Sequence, residues 1–142
     1  MKTFTIVPMV GIRGGIQFGM TRQEVHRLMA PATAEHFQRY QTLVDGFYGA
    51  SLQVNYDVNE RVEFIEFGRS DASVLFDGLD LLKFEASLVI ERLGTNHEMD
   101  ESELGSCYTI HSIEFGLWRP DPEDSTFESV GFGRKGYYSK EK

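Results

Sequence analysis

Residues 19–29, Gly-Met-Thr-Arg-Gln-Glu-Val-His-Arg-Leu-Met, carry the clearest helix-start signal in the chain. Thr21 can accept a hydrogen bond from the backbone of Glu24, and Glu24 can reach back to the backbone of Thr21, which is the capping-box pattern. The apolar residues that follow fall on one helical face, and Pro31 opposes further helix. The sequence therefore predicts a short helix over about residues 22–29, which needs a packing partner to persist.

Alternating apolar and polar residues predict that this partner is a sheet. Residues 52–56, Leu-Gln-Val-Asn-Tyr, and residues 62–67, Val-Glu-Phe-Ile-Glu-Phe, flank a polar turn and predict a hairpin. Residues 34–44 fit either a helix or a strand. A second helix is predicted over residues 79–93, before an acidic loop at residues 96–105.

Strands joined by short turns favour an antiparallel sheet. We therefore predict a two-layer α+β domain over residues 1–142, with two helices on one face of a mainly antiparallel sheet. Residues 138–142 are expected to fray.

Spacing around the two predicted helices suggests a weak internal duplication. Any two amphipathic helices can share such spacing, so the pattern has a simpler alternative. The residues that recur are Phe18, Met20, Val25 and Met29, with counterparts at Leu82, Phe84, Val89 and Leu93.

Composition narrows the function classes. The formal net charge is -8 and the pI is about 4.9, so the basic footprint of a nucleic-acid-binding protein is absent. A single cysteine, Cys107, excludes an internal disulfide and fits a reducing compartment. With no long apolar segment, we expect a cytoplasmic protein that neither crosses nor binds a membrane.

Residue patterns that carry chemistry are missing from the sequence. The four histidines, His26, His36, His97 and His111, show no metal-binding spacing, so no metal, cofactor or catalytic residue is predicted. Structural roles are favoured for His111 and Cys107 over a nucleophile and base. Glu66 would be informative only if it turned into the core.

One candidate contact surface remains, and we expect it to bind a protein. The chain itself is expected to be a monomer or a homodimer. Trp and Arg are common interface anchors, although Trp118 could simply cap the edge of the core. Acidic residues could flank that anchor if their two loops are neighbours, and would suit a basic partner. The predicted contact residues are Asp100, Glu101, Glu103, Trp118, Arg119, Asp121, Glu123 and Asp124.

Two resemblances bear on function. Gly19-Met20-Thr21 with Glu24-Val25 and Leu28 is similar to the short helix motif of BamE/SmpA-like and β-lactamase-inhibitor-like domains. Those domains are small, non-enzymatic α+β modules that bind proteins. The chain lacks the lipoprotein signal and cysteine pairs expected of their exported members.

The second resemblance covers more of the chain, and its segments look like those of a group of small, largely uncharacterised bacterial proteins. Some of that group resemble immunity proteins of polymorphic toxin systems, which implies a cytoplasmic inhibitor of one toxin domain, and no contact residue carries over. The segments are Tyr56-Asp57-x-Asn59, Glu63-Phe64-Ile65-Glu66, Phe76-Asp77-Gly78-x-Asp80-Leu81-Leu82, Gly116-Leu117-Trp118-Arg119-Pro120 and Lys135-Gly136-Tyr137-Tyr138.

Three functions therefore stay open. The first is a non-enzymatic binding protein, most concretely an immunity protein that covers the active site of a basic toxin. The second is a small ligand-binding domain or enzyme with a pocket between helices and sheet, which a site at His111 or Glu66 would favour. The third is a subunit of an assembly, or a homodimer joined through a strand edge.

Overall fold

The structure, a computed structural model, describes residues 2–39 and 42–139 of the chain. It confirms the predicted α+β class, with two α-helices and a large, mostly antiparallel sheet. The helices are α1 (Arg22–Met29) and α2 (Ala86–Asn96). The strands are β1 (Thr3–Val7), β2 (Gly11–Ile12), β3 (Glu35–Arg39), β4 (Thr42–Phe47), β5 (Leu52–Tyr56), β6 (Val62–Gly68), β7 (Ser73–Phe76), β8 (Leu79–Asp80), β9 (Asp100–Ser102), β10 (Cys107–Ile110), β11 (Phe115–Trp118) and β12 (Ser129–Gly133).

Two sheets organise these strands. The main sheet has eight strands in the order β3-β4-β5-β6-β12-β11-β10-β9, and its neighbouring strands are antiparallel. The predicted hairpin is present as β5 and β6. A smaller sheet, β2-β1-β7-β8, is an addition to the prediction, and its central pair, β1 and β7, is parallel.

The hydrophobic core lies against one face of the main sheet. The register aligns five fully buried side chains in a row across β5, β6, β12, β11 and β10. They are Val54, Ile65, Phe132, Phe115 and Ile110, each 0% exposed. Buried residues of both helices, Val25 and Leu93 among them, belong to the same cluster, so both helices pack on this face.

The capping box at α1 is confirmed. The Glu24 N–H donates to Thr21 Oγ1 at 3.1 Å, and the Thr21 N–H donates to the Glu24 carboxylate at 3.0 Å. These bonds fix the first residue of the helix. Arg22 and His26 therefore lie one turn apart on the same side of α1.

The prediction of a helix over residues 79–93 is wrong at its start. Leu79 and Asp80 form β8, which pairs with β7 across a turn at Asp77 and Gly78. The φ angles of these two turn residues, 53° and 75°, are those of a type I′ hairpin, which Asp-Gly favours. Local turn chemistry therefore outweighs helical spacing here, and α2 begins only at Ala86.

Two other segments are strands where the sequence was ambiguous or indicated a loop. Residues 34–44 contribute β3 and the start of β4, which pair antiparallel. Tyr40 and Gln41 lie outside the described residues. The acidic segment at residues 96–105 contains β9, a short strand with exposed side chains that pairs, among the described residues, only with β10.

The element order supports the suggested internal duplication. Two strands, a helix and four strands run from β1 to β6, and the same order runs from β7 to β12. The helix N-caps Thr21 and Glu85 have the same spacing as the buried pair Val25 and Val89. The first strand after each helix, β3 or β9, forms one outer edge of the main sheet.

The C-terminal segment packs on the opposite face of the main sheet. The Phe64 and Tyr137 rings stack with centroids 4.5 Å apart, and Phe64 leaves no room for a Cβ at Gly131. The Tyr138 N–H donates to the Glu114 carboxylate at 3.0 Å. Tyr138 is therefore held in the fold, and residues 140–142 lie outside the described residues.

Candidate functional site

The predicted contact residues gather at the β9 end of the main sheet. Asp100 and Glu101 lie on β9, Glu103 follows it, and Trp118 ends β11. Cys107 of β10 pairs with both Ser102 and Trp118, so the register places Trp118 two strands in from the edge strand β9, with β10 between them. We call the six carboxylates here the acidic edge, namely Asp100, Glu101, Glu103, Asp121, Glu123 and Asp124.

Arg119 joins the two loops that supply the acidic edge. Its Nε donates to the carbonyl oxygen of Gly105 at 3.0 Å, and its Nη1 donates to that of Asp124 at 2.9 Å. Its guanidinium also lies over the Phe127 ring, 5.4 Å from the centroid. The loops that had to be neighbours for this surface to exist are therefore neighbours. Arg119 itself is used within the fold as the tie between them.

Apolar surface is exposed among these charges. Trp118 is 37% exposed and Leu104 is 93% exposed. Glu103 and Leu104 have φ angles of 53° and 56°, in the left-handed region that residues other than glycine rarely adopt. Backbone of this kind costs free energy and clusters at ligand-binding segments.

Several carboxylates of the acidic edge make local contacts. Asp100 lies 2.8 Å from Nε2 of His111, and Glu103 accepts a hydrogen bond from the Cys107 thiol at 3.2 Å. Asp121 accepts from the Glu123 N–H at 2.8 Å. The side chains of Glu101 and Glu123 are exposed to solvent.

Cys107 and His111 are each paired with a carboxylate. Burial and, after it, the hydrogen bond and charge of the neighbouring Glu103 together raise the pKa of the Cys107 thiol to about 11. A thiol with that pKa is protonated at neutral pH and is a poor nucleophile. His111 contacts Asp100 at 2.8 Å, and both side chains are more than half exposed, so the structural roles favoured for Cys107 and His111 stay predictions.

Glu66 lies on the face of the main sheet that is opposite the core. It pairs with Gln53 and Gly131, in the row next to the buried one. It lines a shallow groove of about 240 Å³ together with Trp118 and Tyr138. The inward-facing carboxylate that would indicate an enzyme is therefore not at Glu66.

A second cluster, which the sequence did not predict, surrounds Asp45 at the other end of the main sheet. Asp45 ends the core-facing row on β4 and is 0% exposed. Arg22 donates to both carboxylate oxygens at 3.1 Å, and the Tyr56 hydroxyl donates to Oδ2 at 2.8 Å. His26 Nε2 and His36 Nδ1 each lie 2.6 Å from one of these oxygens. We call these five residues the Asp45 cluster.

Four elements, α1, β3, β4 and β5, bring the Asp45 cluster together. α1 supplies Arg22 and His26, and β3 places His36 directly opposite Asp45 in the strand pairing. The two imidazole rings stack at an interplanar angle of 2° with centroids 5.6 Å apart. Both histidines are partly exposed, so the cluster reaches from the core to the surface.

The contacts keep Asp45 ionised. Burial acts to raise its pKa, but hydrogen bonds from Arg22, His26, Tyr56 and His36 outweigh burial and lower the pKa to about 2. The hydrogen bond to Asp45 also raises the pKa of Arg22. Burial, followed by the hydrogen bond to Asp45, raises the pKa of Tyr56.

The Asp45 cluster cannot be recognised from sequence spacing, because His26 and His36 lie 19 and 9 positions away from Asp45 and on different elements. One signal was present: Asp45 interrupts an apolar strand run from Leu43 to Phe47. A carboxylate in such a run is buried only when it is paired. Such a carboxylate needs a cation or a hydrogen-bond donor as its partner, but the sequence does not show which residue supplies it.

The cluster also has the donor set of a metal site. Nitrogen atoms of His26 and His36 and a carboxylate oxygen of Asp45 all lie within 4.8 Å of one another. The sequence predicted no metal, because the histidines show no metal-binding spacing and nothing in the sequence indicates that distant residues meet.

No protein-family model, no curated protein and no solved structure matches the chain. Within the described residues, neither helix combines the length and the apolar character needed to cross a membrane.

Proposed function

We propose that the chain is a non-enzymatic binding module that receives a basic protein on its acidic edge. In its most concrete form it is a cytoplasmic immunity protein that covers the active site of one bacterial toxin domain. The observation that carries the proposal is the union of two acidic loops beside Trp118, held together by Arg119.

Charge supports a basic partner. The chain carries a net charge of -8, and six carboxylates lie at this one end of the main sheet. Charge complementarity of this kind speeds association and selects against acidic partners. Interfaces nevertheless gain most of their affinity from a few buried anchors, so charge alone is insufficient.

Trp118 and Leu104 supply such anchors. Both are exposed, and burying a large apolar side chain contributes about 1.5–3 kcal/mol. Leu104 is presented by backbone in an unfavourable conformation, which the loop maintains against its own cost. A partner that covers Leu104 and Trp118 would bury apolar area ringed by charge, which is the usual arrangement of a protein interface.

The edge strand offers a further mode of contact. β9 pairs only with β10 within the described residues, so its outer side presents backbone donors and acceptors. A strand from a partner, or from a second copy of the chain, can add to such an edge. The carboxylates of β9 disfavour a second acidic copy and favour a basic strand.

The test is affinity capture from the native host with a tagged chain, followed by mass spectrometry and by co-expression of the captured protein. We expect one stoichiometric basic protein whose toxicity the chain suppresses. The double variant Glu101→Lys with Glu123→Lys should lose both capture and growth rescue. Because the side chains of both residues are exposed, it should remain folded.

The control is Glu35→Lys, compared with the single variant Glu101→Lys, because each reverses one charge on an edge strand, β3 or β9. It should capture the partner as the wild type does. Equal loss in both variants would mean that net charge, rather than this surface, drives capture. Capture and rescue that survive the double variant would contradict the proposal.

A small-ligand-binding function is the second candidate. The observation that favours it is the Asp45 cluster, which combines a buried carboxylate with two partly exposed imidazoles.

A further inference from the structure

We propose that His26, His36 and Asp45 form a binding site for a divalent transition-metal ion of the zinc type. Arg22 occupies the site in the metal-free chain, and the ion displaces it. This inference does not depend on the acidic edge or on a protein partner.

The donor atoms are already at near-ligand separations. Nε2 of His26 lies 2.6 Å from Oδ2 of Asp45, and Nδ1 of His36 lies 2.6 Å from Oδ1. Zinc holds imidazole nitrogen and carboxylate oxygen at about 2.0–2.2 Å, which separates neighbouring ligands by roughly 3 Å. The three donor atoms lie within 4.8 Å of one another, so an ion that binds all three needs them to close by about 1–2 Å.

The metal-free arrangement contains a proton conflict at His36. Nη2 of Arg22 lies 2.6 Å from His36 Nδ1, and a guanidinium can only donate. That contact requires Nδ1 without a proton, yet Nδ1 then faces the Asp45 oxygen lone pair to lone pair at 2.6 Å. A cation among these atoms removes the conflict, because it accepts electron density from both.

Asp45 also receives more hydrogen-bond contacts than its carboxylate can accept. Five hydrogen-bond contacts from four residues converge on a carboxylate that offers about four lone-pair positions. Loss of Arg22 from this set leaves Tyr56 donating to Oδ2 at 2.8 Å. Such a bond from outside the ligand set orients a metal-binding carboxylate.

The site is open to ions from solvent. The His26 and His36 side chains are 38% and 53% exposed. An open surface depression of about 300 Å³, lined by Arg22, Gln23, His26 and Glu60, adjoins the cluster. Arg22 can therefore swing towards Glu60 and solvent when the ion enters.

The ligand types select the metal. Two imidazoles and one carboxylate suit zinc, nickel, cobalt or copper, whereas magnesium and calcium prefer oxygen ligands alone. Three protein ligands leave at least one coordination position for water.

The experiment titrates the metal-free full chain with Zn²⁺ and with Mg²⁺ by calorimetry, and records the visible spectrum of the Co²⁺ form. We expect one Zn²⁺ per chain, no Mg²⁺ binding, and cobalt bands of an ordered site with nitrogen and oxygen ligands. His36→Ala should weaken Zn²⁺ binding by at least about 100-fold, since even changes around the ligands cost about 10–100-fold. His111→Ala, which removes a histidine paired with Asp100 at the other end of the main sheet, is the matched control and should bind Zn²⁺ normally.

Arg22→Gln gives an outcome of opposite sign. It removes the competing cation, so we expect Zn²⁺ to bind several-fold more tightly than to wild type. His36→Gln, which keeps a polar side chain, replaces His36→Ala if the alanine variant does not fold. The proposal is overturned if no one-to-one Zn²⁺ binding is detected, if His36 and His111 variants behave alike, or if Arg22→Gln weakens binding.

Discussion

At both ends of the main sheet the edge strand follows a helix, β3 after α1 and β9 after α2, but the two ends carry their charges differently. At the β3 end, Asp45 is buried beneath Arg22 and two histidines. At the β9 end, the carboxylates face solvent, and the core-facing row ends in Ile110 rather than in an acid. The spacing that relates Val25 to Val89 relates the cluster residues Arg22 and His26 to Ala86 and Ile90.

This difference separates stability from binding. A buried charge contributes to the fold only while all of its partners remain, so the Asp45 cluster is part of the folded core. Exposed acids contribute little to the free energy of unfolding, and mutual repulsion can make them unfavourable. Under the proposal above, the charge at the β9 end serves a partner rather than the fold.

The largest expected effect is at the buried end. Asp45→Ala leaves the Arg22 guanidinium and the Tyr56 hydroxyl without their shared acceptor. We expect a loss of about 3–5 kcal/mol in the free energy of unfolding, as for other broken buried pairs. Urea unfolding followed by circular dichroism measures it. Asp100→Ala at the exposed end is the control and should change it by less than about 1 kcal/mol; equal losses would break the comparison.

The alkylation rate of Cys107 tests the contacts at the β9 end of the main sheet. Because burial and Glu103 raise its pKa to about 11, the thiolate is scarce at neutral pH and forms only as pH rises towards that value. We expect alkylation by iodoacetamide to be about 20-fold slower than for free cysteine at neutral pH, since higher intrinsic nucleophilicity offsets part of the thiolate loss. Glu103→Gln should speed the reaction and Glu101→Gln should not. A wild-type rate equal to that of free cysteine would show that the thiol is neither buried nor bonded to Glu103.

Arg119 is expected to have a smaller effect on stability and a clear effect on the surface. Arg119→Ala removes two hydrogen bonds to backbone carbonyls, at Gly105 and Asp124, and should cost about 1–3 kcal/mol. Amide hydrogen exchange should rise in both acidic loops while exchange at the Asp45 cluster stays unchanged. Arg119→Lys should restore only part of the protection, and unchanged exchange in the alanine variant would refute the tie between the loops.

The smallest of these effects concerns the helix that carries half of the Asp45 cluster. Thr21→Ala removes the side-chain cap of α1 and should cost about 1 kcal/mol of stability. Thermal unfolding measures the change. Thr21→Ser preserves the capping oxygen and should be nearly neutral, so similar losses in both variants would assign the effect to the methyl group instead.

Local signals predicted the local parts of the fold. The capping box placed α1, and alternation placed β5 and β6, because both depend on neighbours a few residues apart. The prediction was wrong at β8, because it followed helical periodicity, whereas Asp77 and Gly78 form a two-residue hairpin turn. The small sheet escaped prediction because β1 and β7 are joined by parallel pairing across about half of the chain.

Sites followed the same division. The acidic edge could be proposed because its residues occur in two short acidic runs, although only the structure shows Arg119 joining them. The Asp45 cluster could not, because Asp45, His36 and His26 meet only after α1 has packed on the sheet. Burial, which sequence reports weakly, turns an ordinary aspartate into the centre of a site.

The most direct test of the account titrates the purified captured partner against three chains: wild type, Glu101→Lys and Glu35→Lys. Each variant carries one reversed charge, on opposite edge strands of the same sheet. We predict that Glu101→Lys weakens binding by about tenfold or more, mainly through charge repulsion, and that Glu35→Lys binds as wild type does. Unfolding of all three chains should agree within about 0.5 kcal/mol. Equal affinities for Glu101→Lys and wild type would contradict the claim that the acidic edge is the binding surface.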